Sequence, residues 1–510
     1  MQQSYTSNYL KIYLWQAISL ILNFISLFIV IPYLTNQPSI YGIYTVCISV
    51  SIFLAYADFG FMAAGQKYAA EFFAKGDIKQ EVSIIGFTCF ILVIFLTLFS
   101  GIFIYLSLNP SFLIKSLTTE REISIASSLL LILALFTPVT FLQRLLQLVF
   151  GIRLEDYIIQ RTNIFANIIK ISSIFWFFKH GQYNVVGYFL FIQVVNLLGC
   201  LFTIFIAKKR YQYSFRAVLY AMHFNKIAFA KTKDLAFASL YLTLAWILYY
   251  ELDTTVISKY LGAERVAIYA IGLTLLTFFR SIFGILFSPF SARFNHFIGI
   301  RDLSGLKTFY LHITKVATPI VIIPTLTIAL LAKPIILSWV GPHYIESITI
   351  ARYLILCNLL AFIGYPVGML LIAQEQIKKM YFIYTLIPIL FWGGVIFTYP
   401  FLGLKAFAIF KCVAFGISAV TCFFIILDFL EMKVLALLKM IVNPVIIPIM
   451  FLTITSLLIK DYLPHDKSKI NFLLVLGAAG IIISLAFLVQ YLVSSDLKKM
   501  TKSLLVSLKK

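Results

Sequence analysis

Residues 83–108 read SIIGFTCFILVIFLTLFSGIFIYLSL, an uninterrupted apolar run without a single charge. About 20 apolar residues cross the roughly 30 Å hydrocarbon core of a bilayer as a helix. The apolar residues are consecutive. A membrane β-strand would instead alternate every second residue over about ten, so the run reads as a transmembrane helix. Similar runs fall at about 12–34, 41–65, 123–150, 163–178, 185–207, 235–257, 266–290, 316–337, 350–373, 381–400, 405–427, 440–459 and 470–493. The chain is therefore expected to be an all-α membrane protein of about 14 transmembrane helices.

Composition agrees. Of the 510 residues, 61% are apolar and 12% charged, against about 25% charged in a water-soluble domain, and the mean hydropathy is +0.97. A soluble globule is excluded. Met1 to Lys11 is polar for too long, and lacks the small-residue cleavage site, to be a signal peptide, so the first run reads as a retained helix. The formal charge of +21 does not point to nucleic acid, because the basic residues are scattered through short loops instead of gathered on one soluble face. The six cysteines all fall inside apolar runs, where they act as small hydrophobes. Neither a disulfide framework nor a metal-ligand spacing emerges, and no cofactor is expected.

Lysine and arginine orient the chain. Of the 41 basic residues, 26 fall in the termini and the loops of one side, nine in loops of the other and six inside the spans. The positive-inside rule then makes both termini cytoplasmic. The longest loop on that side, 208–234, carries Lys208, Lys209, Arg210, Arg216, Lys226, Lys231 and Lys233 against one acid, Asp234. It reads as a basic cytoplasmic linker between an N-terminal six-helix lobe, 1–207, and a C-terminal six-helix lobe, 235–427. Two extra helices and a basic cytoplasmic tail occupy 428–510. A weak repeat supports the two pseudo-symmetric lobes: Tyr33-Leu34 with Ile40-Tyr41-Gly42-Ile43-Tyr44 echoes Tyr260-Leu261 with Arg265-Val266-Ala267-Ile268-Tyr269, once a two-residue gap is allowed. Spans 1 and 7 run the same way, so the lobes would be related by an axis along the membrane normal, a transporter architecture with its site between them.

On these residues the sequence resembles a polysaccharide flippase of the multidrug, oligosaccharidyl-lipid and polysaccharide (MOP) exporter superfamily. The resembling pieces are the Tyr-Gly-Ile-Tyr opening of span 2, Ala57-Asp58-Phe59-Gly60, Gln66-Lys67-Tyr68-Ala69, Asp253-Thr254-Thr255-Val256-Ile257 with Tyr260-Leu261-Gly262-Ala263, and Trp339-Val340-Gly341-Pro342-His343-Tyr344. The resemblance implies a bacterial cytoplasmic (inner) membrane protein that moves undecaprenyl-diphosphate-linked O-antigen or capsule repeat units to the outer leaflet. Its partners would be membrane lipids, the polyprenyl-diphosphate-linked sugar, and polysaccharide polymerase and glycosyltransferases.

Charges inside the spans mark candidate sites, since each costs about 2.5–3.5 kcal/mol near the bilayer centre. The six basic ones are Arg144, Lys170, Arg280, Lys333, Arg352 and Lys411. In span 5, Asn163, Asn167 and Lys170 fall at i, i+4 and i+7, one polar stripe on an apolar helix. Lys170 lies too deep for easy snorkelling. Thr140, Arg144 and Gln147 form a shorter stripe in span 4, near enough to the cytoplasmic end for the guanidinium to reach headgroups. Arg280 sits mid-span with Gly284 on its face leaving room; Lys411 is about two turns into span 12. Lys333 and Arg352, near the outer ends of their spans, read as snorkelling residues. Ser239, Thr243, Trp246, Tyr250 and Asp253 step along one face of span 7, which turns Asp253 toward the lumen and leaves Glu251 off that face. Asp58 precedes Gly60 where a turn or helix cap needs such residues, with a gate or coupling role as the alternative.

Cations exceed acids in the spans, so a cavity lined by Lys170, Arg280, Arg144 and Lys411, with Asn163, Asn167 and Tyr250 on its polar face, would attract an anion. A lipid diphosphate fits, gripped by Arg bidentately and by Lys as a point charge. Asp253, Glu251 and Asp58 are the coupling or gating candidates. A multidrug exporter of the same superfamily is the alternative, though it would want acids for cationic drugs. A membrane glycosyltransferase or polymerase is less favoured: the longest outer loops, 109–122 and 460–469, are short, and the six histidines, His180, His223, His296, His312, His343 and His465, are scattered without HExxH or a nucleophile elbow. The chain is not expected to be an enzyme.

Overall fold

A computed structural model describes residues 5–178 and 183–494, with side chains from residue 11 on and without that of residue 292. His180 and the basic tail lie outside the described residues. The described chain is all-α. Its helices are α1 (Tyr5–Leu34), α2 (Pro38–Ala55), α3 (Phe61–Ala74), α4 (Ile78–Leu108), α5 (Glu120–Leu135), α6 (Thr137–Gly151), α7 (Tyr157–Phe177), α8 (Val185–Tyr211), α9 (Phe215–Tyr220), α10 (Lys226–Tyr250), α11 (Leu252–Leu261) and α12 (Ala263–Gly299). They continue as α13 (Leu303–Leu330), α14 (Ala332–Val340), α15 (Ser347–Leu356), α16 (Ala361–Ala373), α17 (Ile377–Leu402), α18 (Lys405–Leu430), α19 (Val434–Val442), α20 (Ile446–Ile459) and α21 (Lys469–Val493).

Nine of the described helices are long and apolar enough to cross a membrane, and four bent pairs raise the number to 13. The fourteenth run is α7. Its 21 residues reach about 31 Å at 1.5 Å per residue, but Arg161, Asn163, Asn167 and Lys170 dilute its apolarity. It packs between α1 and α8, both of which pass.

Several spans that read as straight are broken. Bends of 42°, 42°, 44° and 48° separate α5 from α6, α10 from α11, α15 from α16 and α19 from α20. The run 41–65 is not one helix: Phe59 (φ 49°) and Gly60 (φ 81°) are both left-handed and end it, and α3 sets off as a separate element. Gly60 is required twice, for its positive φ and because a Cβ there would overlap the Ala236 carbonyl of α10.

Two compact units divide inside α12, one up to Ala267 and one from Ile268. In the first, α10 packs on α3 and α4 and α11 on α2, so span 7 is held by the N-terminal helices. A core of Phe61, Phe87, Phe229 and neighbouring aliphatics forms where α3, α4 and α10 meet. The segment 208–234 holds the last turn of α8, a turn, the short α9 and the first turns of α10. The internal repeat also has a structural meaning. In each copy Tyr-Leu closes a helix, α1 at Leu34 and α11 at Leu261, just before another opens. The copies touch: a Cβ on Gly42 would overlap the Ala263 carbonyl. In the second unit α13 carries α15, α16, α20 and α21 along its length. The Trp339 motif docks the C-terminal pair, with Trp339 stacked on Phe472 at 5.9 Å and Ser468 N donating to the Ser338 carbonyl at 3.2 Å.

Candidate translocation site

The polar stripe of α7 lies in the first unit. Asn167 is buried and donates from Nδ2 to Oδ1 of Asn23 on α1 at 2.6 Å, while Asn163, one turn earlier, is exposed. Lys170 follows on the same face, half-buried and within electrostatic range of Cys200 on α8. Among the described residues no carboxylate pairs with it. Burying an ammonium in low dielectric without a counter-ion is costly, so an anion beside Lys170 would be strongly favoured. Asn23 is a residue the sequence reading missed; a lone Asn in the middle of run 12–34 was the available signal.

Arg144 and Asp58 are brought to one place, the break between α2 and α3. Arg144 donates to the Ala55 carbonyl at the end of α2 and, at 3.1 Å, to Gln147. Asp58 accepts from Met62 N at 3.1 Å. Each satisfies a helix end that has no intrahelical partner. Asp58 is thus a cap in the first turn of α3, and Arg144 a clasp on α2, a use of its guanidinium that needs no headgroup.

Glu251 and Asp253 flank the α10–α11 break. Asp253 is fully buried in the first turn of α11, where Oδ1 accepts from Thr254 N at 2.8 Å. A carboxylate there meets the positive end of the helix dipole. Glu251 is the residue between the helices, and its carbonyl accepts from Ser49 at 3.5 Å. Tyr250 is buried in a ring cluster with Trp246 (4.2 Å) and Tyr249 (4.8 Å). The face that periodicity runs from Ser239 to Asp253 is therefore not continuous, because the break at Glu251 resets the helical phase.

In the second unit Arg280 is half-buried on α12. The Tyr365 hydroxyl of α16 donates to its carbonyl at 3.1 Å, and Tyr365 also lies near its guanidinium. A Cβ on Gly284 would meet nothing within 4 Å, so the space expected beside Arg280 is present. Lys411 differs. It is 1% exposed and lies over the rings of Phe391 (5.3 Å) and Tyr269 (6.0 Å), a cation–π setting in the packed interior. Lys333 and Arg352 are exposed.

Sequence reasoning also missed an ion-pair knot at the ends of α4, α6 and α8. Arg153 pairs with Glu81 at 2.7 Å, donates to the Val149 carbonyl at 2.9 Å and is ringed by Phe73, Tyr211 and Tyr213 at 4.7–5.1 Å. Arg210 makes two bonds to Glu155, which Tyr211 also contacts. Burial lifts the neighbouring Asp156 carboxyl to about 6. Among the described residues no cluster of His, Cys, Asp and Glu suits a metal.

No protein-family profile and no curated protein sequence matches the chain. Solved structures do. The lipid II flippase MurJ in an inward closed conformation is similar over 95% of this chain and 99% of its own, with a TM-score of 0.65 and 12% identity. An inward-facing multidrug resistance MATE family transporter of the MOP superfamily is similar over 82% of this chain and 94% of its own, at TM-score 0.64 and 13% identity. A MOP superfamily transporter from Pyrococcus furiosus, whose binding pocket is described as having reversed polarity, is similar over 84% and 96%, at TM-score 0.57 and 12% identity. At these identities the likeness is one of fold: the chain has the multi-pass helical fold of the MOP superfamily transporters.

Proposed function

We propose that the protein is a flippase that moves undecaprenyl-diphosphate-linked oligosaccharide repeat units from the cytoplasmic to the outer leaflet of a bacterial inner membrane, with both termini cytoplasmic. The observation that carries the reading is Lys170: a half-buried cation in mid-span, on a polar helix face, with no carboxylate beside it among the described residues. Arg280, with space beside it at Gly284, is the second cation. The diphosphate would settle against Lys170 while the polyprenyl tail stays in lipid, and alternating access would pass the headgroup outward without breaking a covalent bond. Carrying about two negative charges outward across roughly 100 mV, inside negative, is favoured by about 4.6 kcal/mol, so the membrane potential alone can drive the cycle. Arg144, Asp58, Glu251 and Asp253 act in this reading through the helix breaks they stabilise. Lys411 serves packing.

A multidrug exporter is the second reading, favoured by the MATE likeness at nearly the same TM-score. Charge separates the two. Asp253, the acid a cationic drug would seek, is fully buried, whereas Lys170 and Arg280 are partly open. The test is flipping of radiolabelled lipid-linked oligosaccharide in proteoliposomes by wild type, Lys170→Ala and Arg280→Ala. Both variants should insert normally and lose flipping; wild-type rates in both would overturn the cationic site. Proton-linked efflux of a cationic dye by the same vesicles would establish the alternative.

A further inference from the structure

We propose that the segment from Tyr213 to Ile227 is an interfacial anchor that docks on the anionic lipid headgroups of the leaflet bordering it. The segment is built to hold one face in and the other out. Ser214 caps α9 by accepting from Ala217 N at 3.3 Å, and Asn225 caps α10 by accepting from Ile227 N and Ala228 N at 3.0 and 3.1 Å. Asn225 Nδ2 also donates to Ser83 of α4 at 3.1 Å. Gly86 of α4 admits the Ala221 backbone, whose carbonyl would lie 2.6 Å from a Cβ there. Tyr213 and Val218 are buried, with Phe215 and Met222 packed beside them in the core between α3, α4 and α10.

The opposite face is apolar and uncovered. Tyr220 is 85% exposed and Ile227 81%, with Leu219 at 59%, while Phe224 turns its ring toward Phe87 and Phe229 of the core. A solvated loop would carry polar residues here, and the seating on α4 keeps Tyr220, Ile227 and Leu219 from folding back. Next to them in the chain are Lys208, Lys209, Arg216 and Lys226, all exposed and none with a carboxylate partner among the described residues. Aromatic and aliphatic side chains rimmed by lysine and arginine match the depth profile of a bilayer interface, with apolar groups entering the acyl boundary and cations meeting phosphate. The surface is continuous with membrane: α8 leads into the segment and α10 leads out, and both carry exposed apolar residues such as Phe202, Phe205, Phe237 and Leu244. Charge complementarity and this continuity favour an anionic bilayer over a protein as the occupant.

The experiment uses the full chain with Tyr220→Cys carrying an environment-sensitive fluorophore, reconstituted in vesicles of phosphatidylcholine with 30% phosphatidylglycerol, and wild type treated with the same fluorophore as the background for the six native thiols. Quenching by nitroxide lipids should place the label at the headgroup–acyl boundary. Near an anionic surface each Lys or Arg changes docking about fivefold, so Arg216→Gln with Lys226→Gln should lower the docked-to-free ratio about 25-fold, and pure phosphatidylcholine or molar salt should do the same. A label equally open to aqueous iodide in every vesicle overturns the anchor. Quenching that ignores lipid charge overturns the anionic headgroup as its ligand. Protection that appears only when soluble cell protein is added overturns the bilayer in favour of a protein partner.

Discussion

Replacing Arg153 with methionine should destabilise the first unit more than any surface change, and the size of the loss follows from what it strands. Glu81 is completely buried, Arg153 is its ion-pair partner at 2.7 Å, and the second oxygen of Glu81 has no hydrogen-bond partner. Removing one member of such a pair leaves a carboxylate in low dielectric, at about 3–5 kcal/mol. The lost stacking on Phe73, Tyr211 and Tyr213 adds about 0.5–1 kcal/mol per ring that methionine does not replace. Neutralising both members removes the stranded charge, so Glu81→Gln with Arg153→Met should recover about half or more of the loss, because a buried ion pair and a neutral pair of similar volume differ little. Fluorescence-monitored melting in detergent reads this. The terms together come to about 4.5–8 kcal/mol, so at about 2–4 °C per kcal/mol for a domain of this order the single variant should melt about 10–30 °C below wild type and the double variant well above the single. If the two variants melt together, the ion pair is not what Arg153 contributes and the reasoning fails.

Other substitutions probe other elements. The burial that lifts Asp156 to about 6 makes its ionisation a cost in the folded state. The stability tied to its protonated form is complete below about pH 3.8 and is lost as pH rises through about 6, so the melting advantage of Asp156→Asn over wild type should grow between pH 4.5 and 7.5 toward about 3 kcal/mol at most; a constant difference contradicts this. Gly42→Ala drives a methyl into the Ala263 carbonyl, a backbone atom that trimming a side chain does not move, and should depress folded yield. Gly101→Ala, with nothing within 4 Å, should be neutral or stabilising by up to about 1 kcal/mol; similar yields for the two would refute the close approach. The Asn23–Asn167 bond should show a double-mutant coupling of about 0.6–1.7 kcal/mol with leucine at both positions, and additivity within error would remove it from the account of the α7 face.

The fold was legible because bilayer thickness and backbone hydrogen bonding leave a long apolar run few alternatives: thirteen of the fourteen runs match helices or bent pairs of crossing length, and α7 supplies the last. Lys170 and Arg280 stand out in the sequence by depth, a property that counting residues from the ends of a run recovers, and both are half-buried within helices. Lys411 was placed at a lumen by the same rule, yet it is packed against Phe391 and Tyr269, since depth along a helix says nothing about direction around it.

Direction is where periodicity failed, and the reason is physical. A 100° step carries the face of a helix forward only while the i to i−4 ladder is unbroken. At Glu251 the ladder stops, α11 restarts at 42° to α10, and Asp253 rotates from the predicted lumen face into the interior. The residues at such breaks are then claimed by the backbone, because each break exposes carbonyls on one side and N–H groups on the other that no water can reach in a membrane interior. Arg144 on the Ala55 carbonyl, Asp58 on Met62 N and Asp253 on Thr254 N are three instances of one demand. It follows that a charge in a span is a sound cargo candidate only where the helix around it is continuous. Lys170 and Arg280 lie within unbroken helices, α7 and α12, and that continuity separates them from Asp58 and Asp253; Arg144 also lies within an unbroken helix, α6, and is set apart instead by its bond to the Ala55 carbonyl.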